Sequence, residues 1–178
     1  MTDESLVTDH CTTGRFIDTI SSGIKRLGKT EKTLTIDDLG PVDEFHIGGR
    51  QLSEDFLGQL NIKPDMNVLD IGCGLGGPAR FRVSRYGCKV RGIDLTKEFV
   101  EVENKLSSWF GIEKQIELEQ ASAVQMPFND NSFDAAYMIH VGMNIQDKTS
   151  LCKEAYRVLE KDGKCRKSTP TWLTPFDG

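Results

Sequence analysis

A run of glycines follows the first strand-like stretch of the chain, and its composition is typical of a ligand-binding loop. The segment reads DIGCGLGG over residues 70–77, directly after an apolar run and directly before a helical pattern. Glycine permits the sharp turn and the close backbone approach to a ligand that a side chain would block. Ligands of open α/β sheets lie beyond the carboxyl ends of the strands, so we predict a cofactor site here.

Two aspartates near this loop indicate which ligand suits it. Asp70 opens the loop, and Asp94 lies 22 residues after Gly72, where a carboxylate accepts hydrogen bonds from ribose hydroxyls. Gly72, Gly74 and Gly77 also satisfy the dinucleotide pattern G-x-G-x-x-G, so a nicotinamide enzyme is an alternative. Asp70 argues against it, because a carboxylate repels a diphosphate but suits the ammonium and sulfonium of S-adenosylmethionine. A turn that needs glycine only for its shape is a third interpretation.

Alternating strand and helix patterns position the loop. Strand-like apolar runs occur at residues 66–72, 88–95, 116–121 and 133–140, and helical patterns occur at 77–86, 96–109 and 147–159. This alternation predicts a parallel sheet with right-handed crossovers. The predicted fold class is therefore α/β, doubly wound and mainly parallel.

The first 62 residues differ from this pattern, and we predict that they form an N-terminal helical or lid segment. A stripe at helical spacing within residues 13–28 consists of Phe16, Ile17, Ile20, Ile24 and Leu27. A polar stretch at 29–41 leads into DEFHIGG at 43–49 and then into a second helical pattern. Residues 63–163 are predicted to form the α/β core, and residues 164–178 an irregular tail.

The composition argues against several classes of protein. The 178 residues include 22 Lys and Arg against 27 Asp and Glu, a net charge of −5, so no nucleic-acid partner is expected. The longest nearly apolar stretch, 133–141, is far shorter than the ~20 residues that span a bilayer. No signal peptide is evident, and we expect a cytoplasmic protein without a metal. The five cysteines lack the spacing of a zinc site or disulfide framework: Cys11, Cys73, Cys88, Cys152 and Cys165.

Four segments resemble the successive motifs of class I S-adenosylmethionine-dependent methyltransferases. They are VLDIGCGLGGPAR, GIDLTKEFVE, MPFNDNSFDAAYMIHVGMNI and EAYRVLEKDGK, and the resemblance extends over roughly residues 36–163. DEFHIGGR resembles the segment that precedes the nucleotide domain in small-molecule methyltransferases of glycine derivatives and quinone precursors. The resemblance implies a Rossmann-like sheet, S-adenosyl-L-methionine as cofactor and a small-molecule methyl acceptor.

The resemblance also implies a set of cofactor contacts. Those at the methionine end and the ribose fall on Asp70, Gly72, Cys73, Gly74, Asp94 and Leu95. Family members usually place an aspartate at the adenine amino group, where this chain has Ser122. A hydroxyl brings no charge, so we expect adenine binding to be weaker by about 1 kcal/mol. The neighbouring amide of Ala123 is a further predicted contact.

The loop after the fourth predicted strand supplies candidates for the chemistry. Methyl transfer from a sulfonium needs an acceptor held in line and, for some acceptors, removal of a proton. His140 ends that strand and is expected at the rim, beside the cofactor, as a base, a hydrogen-bond donor or a wall. A histidine satisfied by backbone groups is an equal alternative. Met143 and Asn144 follow in the same loop and are predicted to contact the acceptor.

His46 and Arg50 are the candidates from the N-terminal segment. His46 is followed by two glycines, which is typical of a loop that closes over a site, so we predict a lid role and a part in catalysis. Arg50 is predicted to bind an acceptor carboxylate through its paired donors. A solvated position at the start of a helix is the alternative for Arg50.

The carboxyl-terminal side of the predicted sheet is incomplete. The resembling family has seven strands in the order 3-2-1-4-5-7-6, and the few residues after Gly163 are too few to supply the remaining ones. A fifth strand is doubtful because Pro170 and Pro175 interrupt this segment. We therefore expect a truncated chain whose bare sheet edge causes self-association, for example as a homodimer.

Three functions remain open from the sequence. The first is an S-adenosylmethionine-dependent methyltransferase that acts on a small molecule by in-line transfer. The second is a non-catalytic cofactor-binding or assembly module. The third is a nicotinamide-dependent oxidoreductase, which would bind NAD rather than S-adenosylmethionine.

Overall fold

Five strands form one parallel sheet at the centre of the molecule. They are β1 (Asn67–Ile71), β2 (Lys89–Asp94), β3 (Ile116–Gln120), β4 (Phe133–Ile139) and β5 (Leu159–Ser168). In this computed structural model, which describes residues 14–44 and 46–168, the order is β3-β2-β1-β4-β5. Every pairing is parallel, as the alternating pattern predicts. The α/β fold class and the four predicted strands are confirmed.

Six α-helices surround the sheet within the described residues. They are α1 (Phe16–Arg26), α2 (Ile36–Asp43), α3 (Gly49–Gly58), α4 (Gly77–Tyr86), α5 (Lys97–Phe110) and α6 (Lys148–Val158). The three predicted crossover helices match α4, α5 and α6 to within about a residue at each end. Strand β1 is buried from Val68 to Ile71 because helices cover both faces of the sheet.

The apolar stripe of the N-terminal helix packs against α5. Ile20 and Ile24 of α1 are buried in a cluster with Val102 and Leu106 of α5. Leu27 lies beyond the end of α1 and is 63% exposed, so its predicted place in the stripe is wrong. The helix itself and the inward direction of its other apolar residues are confirmed.

Helix α2 lies in a segment that the sequence pattern describes only as polar. Thr35 begins it with a capping box, in which the Thr35 hydroxyl accepts from the Asp38 amide and the Asp38 carboxylate accepts from the Thr35 amide. Leu39 is the one large apolar side chain fully buried there, and Pro41 lies inside the helix. The helix is short and its apolar face is narrow, so periodicity alone does not detect it.

Strand β5 corrects the expectation of an irregular tail from residue 164. It extends to Ser168, with Ala135 paired to Lys164 and Ile139 paired to Ser168. Most of its side chains are exposed, as suits a strand at the edge of the described sheet, so an apolar run is not required. Pro170 and Pro175 lie outside the described residues. Self-association through this edge stays a prediction.

Two further findings concern membranes and metals. Among residues 14–44 and 46–168, no helix combines the length and apolar character needed to cross a membrane. The same residues contain no group of three or more His, Cys, Asp or Glu side chains arranged to hold a metal ion. Four cysteines of the described chain are free thiols, and Cys11 lies outside it with the N-terminal residues.

Candidate functional site

A cleft with a volume of about 720 Å³ opens at the carboxyl ends of the strands. It is lined by the glycine loop after β1, the end of β2, the turn after β3, the loop after β4 and the segment around His46. Small-molecule sites usually enclose ~300–1,000 Å³. The position is the one at which open α/β sheets bind their ligands.

The glycine loop is held tightly beneath this cleft. The amides of Gly72 and Cys73 donate to the carbonyl of Ile93 at 2.8 and 3.0 Å. Gly72 has a φ of +74°, and a Cβ added there would lie 2.5 Å from the side chain of Val141. Glycine is therefore required at this position by both conformation and space.

Asp70 is a buried carboxyl at the floor of the cleft. It is 2% exposed, and the Tyr137 hydroxyl donates to its Oδ2 at 2.8 Å. It makes no ion pair with any described residue. The pKa of Asp70 is raised to about 7, chiefly by burial; the Tyr137 hydrogen bond opposes this increase, and the nearby Asp94 and Glu44 add to it. A carboxyl in this state gains from a cationic ligand that supplies the missing partner.

Backbone amides of the glycine loop and of the turn after β2 hold the Asp94 carboxylate in place. Its Oδ2 accepts from the Gly74 amide at 3.0 Å, and its Oδ1 accepts from the Thr96 amide at 2.9 Å. Each carboxylate oxygen retains acceptor capacity for a further donor. Asp94 and the following Leu95 both line the cleft, in the arrangement expected for a pair of ribose hydroxyls.

The turn after β3 differs from the prediction. Ser122 is not among the residues that line the cleft, whereas Ala121, Ala123 and Val124 are. The Ser122 hydroxyl accepts from the Val124 amide at 3.3 Å, and its backbone bridges to Gln125. The Ser122 hydroxyl therefore stabilises the local turn. This corrects the prediction that it contacts the adenine of the cofactor. The Ala123 contact remains geometrically available.

His140 and His46 meet at the rim of the cleft. Their ring centres lie 5.6 Å apart in an edge-to-face arrangement, and both line the cleft. His140 has a φ of +54°, which is rare outside glycine, and its amide donates to the Ser168 carbonyl at 2.9 Å. Burial lowers the pKa of His140, and His46 lowers it further, so the ring is neutral near pH 7. Met143 and Asn144 line the same rim.

His46 is backed by a buried network that the sequence does not reveal. Its Nε2 lies 3.2 Å from Ser53 Oγ and 3.5 Å from Glu44 Oε2. The Ser53 hydroxyl donates to Glu44 Oε2 at 2.5 Å. Ser53 is fully buried, and Glu44 is 4% exposed. These contacts hold the His46 ring at the rim of the cleft, and its roles as a lid and in catalysis stay predictions.

Arg50 does not reach the cleft, which corrects the expected contact with an acceptor carboxylate. Its NH1 forms an ion pair with Glu44 Oε1 at 2.7 Å, although the angle is not that of a hydrogen bond. The guanidinium also stacks 4.7 Å from the Phe81 ring centre and donates to the Ile36 carbonyl. These contacts hold α2, α3 and α4 together, and they leave the side chain committed to the protein.

A second buried charge network lies next to the cleft. Asp43 lines the cleft and accepts from Arg80 at 2.7 Å through Oδ2. Arg80 also donates to the Leu75 carbonyl and lies 3.4 Å from Glu103. The sequence shows Asp43 and Arg80, but it does not predict their ion pair, because no sequence-spacing rule relates residues so far apart in the chain.

The chain is similar to known proteins in sequence and in fold. The family model described as "Methyltransferase domain" matches residues 69–166. Phosphoethanolamine N-methyltransferase 1 of Zea mays is 35% identical over 117 residues, which cover 66% of this chain and 23% of that protein. Cycloartenol-C-24-methyltransferase 1 of Oryza sativa subsp. japonica is 38% identical over 108 residues, which cover 60% and 31%. The chain spans less than a third of the length of either relative.

Solved structures share the same fold. Geranyl diphosphate methyltransferase in complex with SAM has a TM-score of 0.63 and 26% identity, over 70% of this chain and 52% of that one. The [4+2]-cyclase SpnF has a TM-score of 0.60 at 23% identity, over 62% and 40%, and shares the fold alone. With more than half of its residues matched by the family model, this chain belongs to the methyltransferase domain family, within the class I S-adenosylmethionine-dependent methyltransferases.

Proposed function

We propose that this chain binds S-adenosylmethionine and transfers its methyl group to a small-molecule acceptor held in the same cleft. The observation that carries the proposal is Asp70, a buried carboxyl that lines the cleft without a cationic partner among the described residues. An ammonium group supplies that partner, whereas a diphosphate does not. The same observation argues against a nicotinamide dinucleotide.

The described residues offer a fitting contact for each part of the cofactor. Asp70 suits its ammonium group, the glycine loop suits close backbone contact, and Asp94 suits the ribose hydroxyls. Ala123 and Val124 offer an amide and an apolar wall for a flat base. When bound, S-adenosylmethionine supplies an electrophilic methyl group on a good leaving group.

The charges in the cleft narrow the class of acceptor. The described lining residues include neither Lys nor Arg, and their charged members are Asp43, Asp70, Asp94 and Asp147. Among protein side chains, Arg and Lys usually bind phosphate groups, so an anionic acceptor fits this acidic lining poorly. We infer that the acceptor is neutral or cationic. The volume of the cleft limits it to a small molecule beside the cofactor.

Calorimetric titration tests cofactor binding directly. We expect saturable heat with S-adenosylmethionine and S-adenosylhomocysteine and none with NAD. Asp70→Asn should weaken S-adenosylmethionine binding roughly 10- to 100-fold, because a charge-assisted hydrogen bond is worth ~1.5–3 kcal/mol. Wild-type affinity should rise with pH up to about 7 and then level off, since the ammonium group pairs with ionised Asp70. The variant should lack this pH dependence.

A matched control lies at the opposite end of the sheet. Asp134 accepts from the Asn67 amide at 2.8 Å, near the start of β4 and away from the cleft. Asp134→Asn should leave the affinity for S-adenosylmethionine unchanged. Saturation by NAD without heat from the adenosyl compounds would contradict the proposal. Cofactor binding without methyl transfer to any neutral or cationic acceptor would favour a non-catalytic binding module.

A further inference from the structure

The buried side chains around His46 determine which ring nitrogen carries its proton. The Ser53 hydroxyl donates to Glu44 Oε2 at 2.5 Å, and Ser53 Oγ lies 3.2 Å from His46 Nε2. A carboxylate only accepts hydrogen bonds, so the single Ser53 proton is committed to Glu44. The Ser53 oxygen must then accept from His46. The imidazole proton therefore lies on Nε2, and Nδ1 is left as a lone pair.

This lone pair has no partner in the described structure. His46 Nδ1 is buried and makes no hydrogen bond with any described residue. The His46 side chain is 10% exposed and lines the cleft beside His140. A buried acceptor without a donor is unfavourable. A ligand in the cleft that presents an N–H or O–H group supplies the missing donor.

We propose that His46 is the proton acceptor of this cleft and that Ser53 and Glu44 are positioning residues that hold it as the Nε2–H tautomer. The proposal rests on the proposed function and deepens it, because it assigns the methyl acceptor to molecules that carry an N–H or O–H donor. Amines fit this description and also fit the cation-free, aspartate-rich lining of the cleft.

The proton balance gives Glu44 its role. Transfer to an amine forms a carbon–nitrogen bond and breaks the carbon–sulfur bond, whose electron pair stays on sulfur. The acceptor nitrogen then has one surplus proton, which His46 Nδ1 takes up. The resulting imidazolium lies 3.5 Å from the Glu44 carboxylate, with Ser53 between them. Glu44 thus orients the ring before transfer and stabilises its charge afterwards.

Nitrogen-15 NMR of the imidazole rings tests the tautomer without any turnover. The chain has three histidines, so replacing His10 and His140 in turn assigns the His46 signals. We expect His46 Nε2 to be protonated and Nδ1 to be unprotonated in the wild-type protein. A predominant Nδ1–H tautomer would overturn the proposal, and this measurement stands even where a variant fails to fold.

Glu44→Gln provides the decisive variant. Arg50 lies 2.7 Å from Glu44 Oε1 and only donates, so a glutamine directs its carbonyl oxygen towards Arg50. The glutamine NH₂ then replaces Oε2 and donates to Ser53, whose hydroxyl turns to donate to His46 Nε2. We expect the tautomer to invert to Nδ1–H. An unchanged tautomer in this variant would show that Glu44 does not position His46.

Glu103→Gln is the matched control. Glu103 is also fully buried, also accepts from a buried serine, Ser107, and also lies beside an arginine, Arg80. Among the described residues, its hydrogen bonds and ion pairs do not include His46, Ser53 or Glu44, so the His46 tautomer should be unchanged. Inversion in this control would assign the effect of Glu44→Gln to general perturbation of the fold and would overturn the positioning role.

Two simple cations test the donor requirement. Methylamine carries N–H donors, whereas tetramethylammonium carries none. With S-adenosylhomocysteine present, methylamine should shift the His46 Nδ1 resonance and tetramethylammonium should not. Equal shifts, or none with methylamine, would overturn the assignment of the acceptor class. Failure of the proposed function is distinguishable, because it appears as absent binding of S-adenosylhomocysteine whatever the tautomer of His46.

Discussion

Arg80 and Arg82 lie two positions apart on α4, and both side chains are fully buried, yet their surroundings are opposite. Arg80 donates to Asp43 at 2.7 Å and to the Leu75 carbonyl at 2.5 Å, and it lies 3.4 Å from Glu103. Arg82 stacks 4.6 Å from the Tyr86 ring centre. None of its three side-chain nitrogens makes a hydrogen bond of good geometry with a described residue.

The difference shows that the contribution of a buried charge to stability depends on its hydrogen-bond and ion-pair partners and not on burial alone. Arg80 links α2, the glycine loop and α5, and through Asp43 it fixes part of the cleft wall. Burial lowers the pKa of Arg82, the expected direction for a cation removed from water without a carboxylate. An arginine remains protonated in proteins, so Arg82 keeps its charge and its desolvation cost.

Removal of Arg80 should have the largest effect on stability. Arg80→Met keeps most of the side-chain volume but leaves Asp43 and Glu103 buried without their cation. Breaking a buried ion pair from one side typically costs about 3–5 kcal/mol. We expect the free energy of unfolding to fall by that amount at pH 7, measured by urea denaturation with circular dichroism. The cofactor affinity should fall with it, because Asp43 lines the cleft.

Arg91→Met is the control for this loss. Arg91 pairs with Glu117 and Glu119 on the surface and is 41% exposed, so its removal should change the unfolding free energy by less than about 1 kcal/mol. Similar losses in the two variants would show that the Arg80 network contributes no more than a surface pair.

Replacement of Arg82 should have the opposite sign. Arg82→Met substitutes a flexible apolar side chain for a buried charge that stacks on Tyr86 and has no carboxylate partner among the described residues. Replacing buried charges by apolar side chains of similar volume often stabilises a protein by ~1–4 kcal/mol. We expect an increase of about 1–3 kcal/mol in the same denaturation experiment. A loss of stability in Arg82→Met would show that interactions of the guanidinium outweigh the cost of burying its charge.

Local pattern was enough to predict most of the fold. The strands β1 to β4 and the helices between them have apolar periods and glycine boundaries that act over a few residues. Helix α2 was not predicted, because its main signals are a capping box and one buried leucine rather than an apolar period. Strand β5 escapes prediction because backbone pairing with β4 holds it, and its exposed side chains carry no apolar signal.

The residues of the candidate site likewise differ in whether local sequence pattern predicts them. Asp70, Asp94 and the glycine loop were predictable, because each lies at the end of a strand whose direction the pattern fixes. Arg50 and Ser122 were placed at the ligand by sequence position, but local partners engage both side chains. The Glu44 network was not predictable, because its contacts depend on how α3 packs beside the loop that precedes it.

The smallest expected effect separates the two acids of the Arg80 network. Glu103 lies 3.4 Å from Arg80, whereas Asp43 lies 2.7 Å away. Burial raises the pKa of Glu103 despite Arg80 and the Ser107 hydroxyl, so its ionised form is less favourable in the folded state than in the unfolded chain. Glu103→Gln should therefore change the unfolding free energy by less than about 1 kcal/mol at pH 7.

The direction in which the stability difference between wild type and Glu103→Gln changes with pH follows from the raised pKa of Glu103. Near pH 4 and below, wild-type Glu103 is protonated in both states, and the glutamine variant should match it closely. Because the folded pKa is raised, the folded state retains this proton longer, and the wild type loses stability relative to the variant as pH increases. Denaturation of both proteins between pH 4 and 8 measures the trend. A growing advantage of the wild type with pH would mean that attraction to Arg80 outweighs burial at Glu103, and that the two acids stabilise the arginine in the same way.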